Sequence, residues 1–197
     1  RMIFNGAIFR SEYDDKQESI LIPVDLTNVA TVVRNASSLE MDGIELELMY
    51  QVTEAWDLMV TYGYLKSEYA NYFADLTGDG VITDNSNLVP RNTPENTFGI
   101  TTSYTTQIGN GELKGRVSYR FRDEMESESQ NRPEGSLDSI ENVNATISYS
   151  VENYSITAWG RNLTDEREQR WSTIGGLTSR GWWNEPQTLG VTFKVSY

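Results

Sequence analysis

The sequence predicts an all-β protein, namely an antiparallel transmembrane β-barrel meander of about eight strands. Three observations lead to this fold class. Polar and apolar residues alternate along several segments, the connections between these segments alternate between short and long, and tyrosine and tryptophan concentrate near the short connections. Alternation with a period of two indicates a β-strand whose two faces meet different surroundings.

The final segment shows the alternation most clearly. Its apolar positions are separated by small, polar or charged residues, and they are Leu189, Val191, Phe193, Val195 and Tyr197. Upstream, the same pattern predicts strands near residues 3–13, 44–52, 56–64, 97–104, 113–122, 142–151 and 154–158. The face of the first of these is ambiguous. Several segments reach the ~9–11 residues that a transmembrane strand needs, against ~5–6 in most globular sheets.

The connections predict which end of the sheet faces outward. Short connections lie at residues 53–55, 108–111 and 152–153, where Asn110-Gly111 is a strong hairpin signal. Long loops are predicted at residues 14–41, 73–94, 127–138 and 170–182. In outer-membrane barrels the short turns face the periplasm and the long loops face the exterior.

Aromatic residues support a membrane setting. Those near the short turns all fall on the apolar parity of their strands: Tyr50, Trp56, Tyr104, Tyr149, Tyr154 and Tyr197. This arrangement predicts a periplasmic aromatic girdle, although tyrosine is also common in β-sheets generally. The opposite face is too polar for a packed sandwich core. A soluble sheet could expose that face to water, so a soluble β-sandwich binding module remains an alternative.

Composition excludes several classes of function. The 197 residues contain neither cysteine nor histidine, so thiolate sites, histidine-ligated metals and Ser-His-Asp triads are excluded. No spacing joins two carboxylates into an acid–base pair, and no enzyme is predicted. The net charge of −13 makes nucleic acid a poor partner. No apolar run reaches the ~18 residues of a transmembrane helix.

Five stretches resemble the C-terminal barrel of TonB-dependent outer-membrane receptors. They are Gly43-Ile44-Glu45-Leu46-Glu47, Val89-Pro90-Arg91-Asn92-Thr93-Pro94, Asn162-Leu163-Thr164-Asp165-Glu166, Glu185-Pro186-Gln187-Thr188-Leu189-Gly190-Val191 and the aromatic end at Tyr197. Their order and spacing over residues 40–197 carry the resemblance. The sequence departs from the family pattern at Gln187, where the family usually has arginine, and at Tyr197, where it more often has phenylalanine.

The resemblance implies that residues 1–197 are the C-terminal portion of one outer-membrane barrel domain. They would form the last eight or so strands of a ~22-stranded barrel, with the plug domain and earlier strands lying outside this sequence. It also implies import of a scarce large ligand across the outer membrane of a Gram-negative bacterium. That ligand would be a ferric siderophore, a cobalamin or an oligosaccharide, and the TonB complex would drive its entry.

The expected partners follow from the same resemblance. They are outer-membrane lipid, the TonB complex through the N-terminal region, the small-molecule ligand and the outer-membrane assembly machinery. That machinery would read the terminal alternation at Leu189, Val191, Phe193, Val195 and Tyr197. The alternative is a complete, small, eight-stranded outer-membrane barrel with a structural or adhesive role, which would have to pack its interior tightly.

An acidic loop resembles a calcium-binding EF-hand loop. Its ligand positions would be filled by Asp75, Thr77, Asp79, the carbonyl of Val81 and Thr83, with Gly80 at the sharp turn. Position 12 holds Ser86 instead of the usual bidentate glutamate, so affinity is expected to be weak. The alternative is ordinary turn chemistry in an external loop. No other cofactor is predicted.

Two further groups are candidates for ligand contact. A basic stripe, Lys114, Arg116, Arg120 and Arg122, follows the polar face of one strand. It could guide an anionic ligand through the lumen, or it could balance Glu45 and Glu47 or the plug. Trp171, Trp182 and Trp183 flank the last long loop together with Arg170 and Arg180. They could stack on a ligand or form the outer aromatic girdle.

Overall fold

The computed structural model describes residues 1–25, 28–175 and 178–197. The long strands are β1 (Met2–Pro23), β2 (Val29–Gln51), β3 (Trp56–Ala74), β5 (Asn96–Ile108), β6 (Gly111–Arg122), β9 (Ile140–Val151), β10 (Tyr154–Arg161) and β13 (Thr188–Val195). Short strands in the connections are β4 (Thr83–Asp84), β7 (Met125–Glu126), β8 (Ser136–Leu137), β11 (Gln169–Gly175) and β12 (Thr178–Trp183).

The long strands form one antiparallel meander in the order β1-β2-β3-β5-β6-β9-β10-β13. Each strand pairs with its neighbour along the chain, which confirms the predicted all-β meander. Among the described residues, β1 pairs only with β2 and β13 only with β10, so the sheet is open. The closed eight-stranded barrel of the alternative hypothesis requires β1 to pair with β13, and this structure does not have that pairing.

The strand register separates an apolar face from a polar face. One row across six strands aligns Phe4, Leu48, Val60, Ile100, Tyr119 and Val143. The adjacent row aligns Asn5, Glu47, Thr61, Gly99, Arg120 and Asn142 on the other face. The first face is apolar, as the lipid-facing surface of a transmembrane barrel requires, and the second is polar, as the inner face of such a barrel requires. We call them the outer face and the inner face.

Charged residues mark the outward end of the apolar band. Above Ile8 on the outer face, Arg10 contacts Glu40 at 2.6 Å and Asp42 at 3.5 Å, and Lys66 contacts Glu68 at 2.9 Å. A charge is costly within the hydrocarbon and tolerated at its border. Between this collar and Trp56 at the short-turn end, β3 has the ~9–11 residues that a strand needs to cross a membrane.

The prediction of a long loop over residues 14–41 is wrong. β1 and β2 continue far above the collar and pair from Lys16–Ser37 to Pro23–Val29. A bulge at Asp14 and Asp15, where Asp15 has a φ of 53°, reverses the parity of β1. Bulges re-aim side chains in this way. Because the parity changes there, a single period could not be read through the segment.

Two other sequence predictions need correction. The predicted loop at 170–182 contains the hairpin of β11 and β12. The hairpin between β5 and β6 turns at Gly109 and Asn110, one residue earlier than the predicted Asn110-Gly111, since Ile108 pairs with Gly111. Of the two turn residues, Gly109 has a positive φ, 61°, which is the pattern of a type II′ turn.

Two motif glycines provide space for aromatic rings on the inner face. A Cβ atom at Gly43 would lie 2.2 Å from the ring of Phe9 on β1, and one at Gly190 would lie 2.2 Å from the ring of Trp159 on β10. Trp159 also donates a hydrogen bond to Thr192 at 3.1 Å. Each ring covers the backbone of a neighbouring glycine, which pins the strand register.

The described connections contain one short 3-10 turn, at Pro133–Gly135. No helix in the described ranges has the length and apolar character needed to pass through a membrane.

Candidate functional site

The basic stripe lies on the inner face of β6, as its parity predicted. Arg116 is aligned with Ser103 and Thr146, and Arg120 with Gly99 and Asn142, so each arginine has small or polar neighbours. Lys114, Arg116 and Arg120 are exposed on this face. Within the part of the chain that the structure describes, none of the three makes an ion pair or a side-chain hydrogen bond.

Arg122, at the upper end of the stripe, has a different role. Its guanidinium donates to the carbonyl oxygens of Asp123 at 2.8 Å and Asp138 at 3.0 Å, and it contacts Glu168 at 3.2 Å. The side chains of Arg122 and Glu168 are 17% and 13% exposed. Arg122 therefore connects three segments above β6, and the remaining basic residues are the ones that can meet a ligand.

The acidic residues of the inner face lie across a floor of small residues. Glu47 shares a row with Arg120, but Thr61 and Gly99 on two intervening strands separate them. Glu47 accepts a hydrogen bond from Asn5 at 3.0 Å. Among the described residues, Glu45 and Glu47 therefore do not form ion pairs with the basic stripe. On the inner face, the acidic residues of β2 and the basic residues of β6 are therefore separated by the small side chains of β3 and β5.

Above the membrane, β1, β2 and β3 form a wall with its own small core. Its inner face buries Ile20, Leu39, Tyr69, Tyr72 and Ala74, with Met41, Leu76 and Leu88 packed against them. A bulge in β3 beside Leu39 and Tyr69 lets Tyr72 and Ala74 face inward as well. These residues lie beyond the charged collar, so this core organises the end of the sheet that carries the long connections.

Glu18 is a fully buried carboxylate in this wall. It accepts hydrogen bonds from Lys16, from the Ser129 hydroxyl at 2.6 Å and from the Tyr69 hydroxyl at 2.9 Å, and Arg91 lies 3.7 Å away. Burial raises the pKa of Glu18, but the hydrogen bonds and the charge of Lys16 outweigh it and leave the pKa below its ordinary value. Glu18 is therefore an anion at neutral pH.

The Glu18 carboxylate also affects the pKa values of two neighbouring tyrosines, Tyr69 and Tyr72. Burial and the charge of Glu18 raise the pKa of Tyr69 above its ordinary value. The same causes raise the pKa of Tyr72 to about 12. Both phenols therefore stay protonated at neutral pH, and Tyr69 acts as a donor to Glu18.

The connection between β6 and β9 crosses the inner side of the sheet to reach this wall. We call residues 125–139 the crossing loop. Ser129 within it bonds Glu18 on β1, although β1 lies four strands away from β6 in the sheet. Arg132 and Glu128 stiffen the loop internally with two bonds of 2.9 and 3.1 Å.

Asn162 organises the return of the chain from β10 to β13. It is 4% exposed, and its amide nitrogen donates to the carbonyl oxygens of Glu166 at 2.9 Å and Glu185 at 3.1 Å. Its φ is 48°, a left-handed conformation that asparagine tolerates. Asp165 then accepts the backbone N–H of Gln187 at 3.1 Å. The Asn-Leu-Thr-Asp stretch is thus a structural corner.

The acidic loop has well-defined internal geometry. Asp75 accepts backbone hydrogen bonds from Thr77 at 3.1 Å, Gly78 at 2.7 Å and Gly80 at 2.8 Å. Burial raises the pKa of Asp75, but these bonds outweigh it and lower the pKa overall. Gly80 has a φ of 87°, as its predicted turn position requires. In the described ranges no three acidic side chains converge, so calcium would depend on hydroxyl and carbonyl oxygens.

The remaining predicted residues are exposed. Leu189, Val191 and Phe193 lie on the outer face of β13, and Tyr197 follows the strand at the chain end. Trp182 and Trp183 on β12 are 73% and 62% exposed, whereas the side chains of Arg170 and Trp171 lie outside the described residues. Of the predicted girdle, Tyr50, Trp56, Tyr104 and Tyr154 are exposed at the short-turn end, whereas Tyr149 is half-buried and its hydroxyl donates to the carbonyl oxygen of Ile108 at 3.0 Å.

Comparison with known proteins identifies the same architecture. Residues 1–163 match the family model described as TonB dependent receptor-like, beta-barrel. The ferric yersiniabactin uptake receptor FyuA from Yersinia pestis superposes with a TM-score of 0.77 at 15% identity, over 100% of this chain and 28% of that one. The siderophore receptor PiuA from Acinetobacter baumannii gives 0.71 at 23% identity, over 98% of this chain and 25% of that one.

A third structure agrees with these two. The closed form of the ferric-catecholate import receptor Fiu from E. coli gives a TM-score of 0.70 at 20% identity, over 99% of this chain and 25% of that one. At these identities the structural likeness shows a shared fold. The chain spans between a quarter and three tenths of the length of these three receptors.

Proposed function

This chain belongs to the TonB-dependent receptor-like β-barrel family of the outer membrane, and from that premise we propose that it is the C-terminal part of a receptor barrel that imports a ferric siderophore. The family is one of receptors, and the proposal assigns no catalysis to this chain. TonB would supply the energy through the N-terminal part of the protein. The outer-membrane assembly machinery would read the alternation that ends at Tyr197.

The observation that carries the proposal is the sidedness of the sheet. A continuous apolar band faces outward, while the inner face carries the exposed Lys114, Arg116 and Arg120 without partners among the described residues. A basic inner wall below a mouth built from folded loops suits an anionic ligand. The neighbours FyuA, PiuA and Fiu are described as a ferric yersiniabactin uptake receptor, a siderophore receptor and a ferric-catecholate import receptor, which supports this ligand class.

The proposal is tested by uptake of radioactive iron in cells that express the full-length receptor. A panel of ferric catecholates and ferric hydroxamates should include a complex whose uptake requires both the receptor and TonB. Uptake that persists without TonB would contradict the energy source. A receptor that promotes uptake of no ferric complex, but does promote uptake of a cobalamin or an oligosaccharide, would contradict the ligand class.

The basic stripe predicts a dependence on ligand charge. Replacing Lys114, Arg116 and Arg120 together with glutamine should reduce uptake of an anionic ferric catecholate about tenfold at low salt, because the stripe attracts anions into the lumen. Raising the ionic strength should narrow this difference. The matched control is Lys66→Gln, which removes a basic residue from the outer face. Equal losses for an uncharged ferric hydroxamate would contradict electrostatic guidance.

We also propose that the loop from Asp75 to Thr83 binds calcium weakly, in the range of ~10⁻⁴–10⁻³ M found for extracellular modules. Calorimetric titration of the full-length receptor with calcium should give a binding heat that Asp79→Ala abolishes. Glu124→Ala, which removes a carboxylate from another loop, should leave the heat unchanged. If Asp79→Ala retains the full heat, calcium binds elsewhere and the loop is a structural turn.

A further inference from the structure

The inner face of the sheet contains a composite hollow at the level of Thr61, halfway along the membrane-spanning part of β3. One half, with a volume of ≈460 Å³, is lined by Glu45 and Glu47 of β2. The other half, also of ≈460 Å³, is lined by Arg120 of β6. Thr61 and Thr97 line both halves, so the two spaces adjoin. We call this composite space the bipolar trough.

The floor of the trough is polar but uncharged. Its inward-facing residues on β3 and β5 are Thr61, Gly63, Thr97 and Gly99. The Thr97 hydroxyl donates to the carbonyl oxygen of Gly63 at 3.5 Å, so it belongs to the wall. Because these side chains are small, a bound molecule can lie close to the sheet between the charged residues on either side.

The charged residues beside the floor do not neutralise one another. Glu45 and Arg120 are exposed, and neither forms an ion pair within the ranges that the structure describes. Glu47 accepts one hydrogen bond, from the neutral amide of Asn5 at 3.0 Å. Three strand spacings, ~14 Å along the sheet, separate Glu47 from Arg120. A molecule in the trough can therefore meet both signs of charge.

Two asparagines complete the basic side of the trough. The amide nitrogen of Asn144 donates to Asn142 Oδ1 at 2.8 Å, and that of Asn142 donates to Asn162 Oδ1 at 3.3 Å. This chain of hydrogen bonds fixes the Asn142 amide beside Arg120, its partner in the strand register. Guanidinium and amide N–H groups donate to anionic oxygens, whereas carboxylates only accept. The two sides of the trough therefore suit groups of opposite charge.

We propose that the bipolar trough is a transit site for a dipolar ligand, namely a ferric chelate that carries a free ammonium group in addition to its anionic iron-binding groups. The inference rests on the proposed function and narrows its ligand class. The anionic part of the chelate meets Arg116 and Arg120, while the ammonium group meets Glu45 and Glu47 on the other side of the floor. A wholly anionic chelate gains only the first of these attractions.

Two synthetic ferric tris-catecholates that differ in one arm test the proposal. One arm ends in a primary ammonium group, and the other ends in the same group after acetylation. Uptake of each radioactive iron complex is measured at low salt in cells that express the full-length receptor. The parent should take up the ammonium-bearing complex about tenfold faster, and higher ionic strength should narrow this ratio.

The double variant Glu45→Gln, Glu47→Gln should bring the ratio of the two uptake rates to about one and leave uptake of the acetylated complex within about twofold of the parent, because only the ammonium group loses its partner. The matched control is Glu68→Gln, which removes an exposed carboxylate from the outer face and should leave the ratio unchanged.

Three outcomes overturn the proposal. The parent takes up both complexes at equal rates or takes up neither, the ratio survives in the double variant, or the double variant loses both complexes equally. The last outcome would mean that Glu45 and Glu47 pair with the N-terminal part of the protein instead of with a ligand. In each case the proposed function stands if another ferric complex enters cells through the receptor and TonB.

Discussion

An arginine in place of Val60 is expected to destabilise the folded receptor by ~2–4 kcal/mol, because a charge near the bilayer midplane carries about that cost on the lipid face of a barrel. Val60 lies midway between Trp56 at the short-turn end of β3 and Tyr64 below the charged collar. Its row neighbours Leu48 and Ile100 are apolar. The guanidinium group of an arginine at this depth would therefore lie far from both borders of the hydrocarbon layer.

The neighbouring residue provides a matched control. Thr61→Arg changes the same strand at nearly the same depth, but its side chain faces inward beside Glu47. We expect it to cost less than ~1 kcal/mol, since the inner face is polar and an acidic neighbour is present. Urea titration of the full-length receptor in phospholipid vesicles measures both changes. Equal destabilisation by the two variants would mean that the assignment of faces is wrong.

The membrane-embedded part of the fold is predictable because one face meets hydrocarbon along the whole strand. Lipid imposes the same demand on every second residue, so alternation alone locates β5, β6, β9 and β13. Their observed bounds differ from the predicted ones by a few residues. No core packing has to be known for this, which is why the meander follows from sequence.

Above the membrane this constraint disappears. The extended part of β1 carries Lys16, Glu18 and Ile20 at alternate positions, a mixture of charge and hydrophobicity that gives no apolar stripe. The bulge at Asp15 further shifts the period. Sequence reasoning therefore predicts a loop where the structure has a strand, and it gives no signal that the buried Glu18 belongs to a site.

The basic stripe and the motif glycines are only partly predictable from the sequence. Parity places Lys114, Arg116, Arg120 and Arg122 on one face correctly, but only the structure separates the anchored Arg122 from the other three. Likewise, Gly43 and Gly190 are visible as motif positions. Glycine is needed at these positions because the rings of Phe9 and Trp159 lie over them. These rings are on neighbouring strands, so the requirement cannot be predicted from sequence spacing.

Asn162→Ala should destabilise the corner between β10 and β13 by ~2–3 kcal/mol, because a buried polar group left without a partner costs ~1–3 kcal/mol. The change removes the Asn162 partner of the Glu185 carbonyl oxygen and of the Glu166 N–H, whereas the Glu166 carbonyl oxygen keeps a hydrogen bond from Asn184 at 3.0 Å. Thermal unfolding and proteolysis of the connection after Arg161, measured on the full-length receptor, should both report the loss.

Asn162→Gly separates the two causes of that effect. Glycine loses the same hydrogen bonds but accepts a φ of 48°, whereas alanine adds a left-handed strain of ~1–2 kcal/mol. The alanine variant should therefore unfold at a lower temperature than the glycine variant, and both should unfold below the parent. Asn71→Ala, at an exposed asparagine with one bond to Ser38 at 3.0 Å, should change little. A glycine variant as stable as the parent would show that backbone conformation alone defines the corner. Equal stability of the two variants would show instead that the amide hydrogen bonds do.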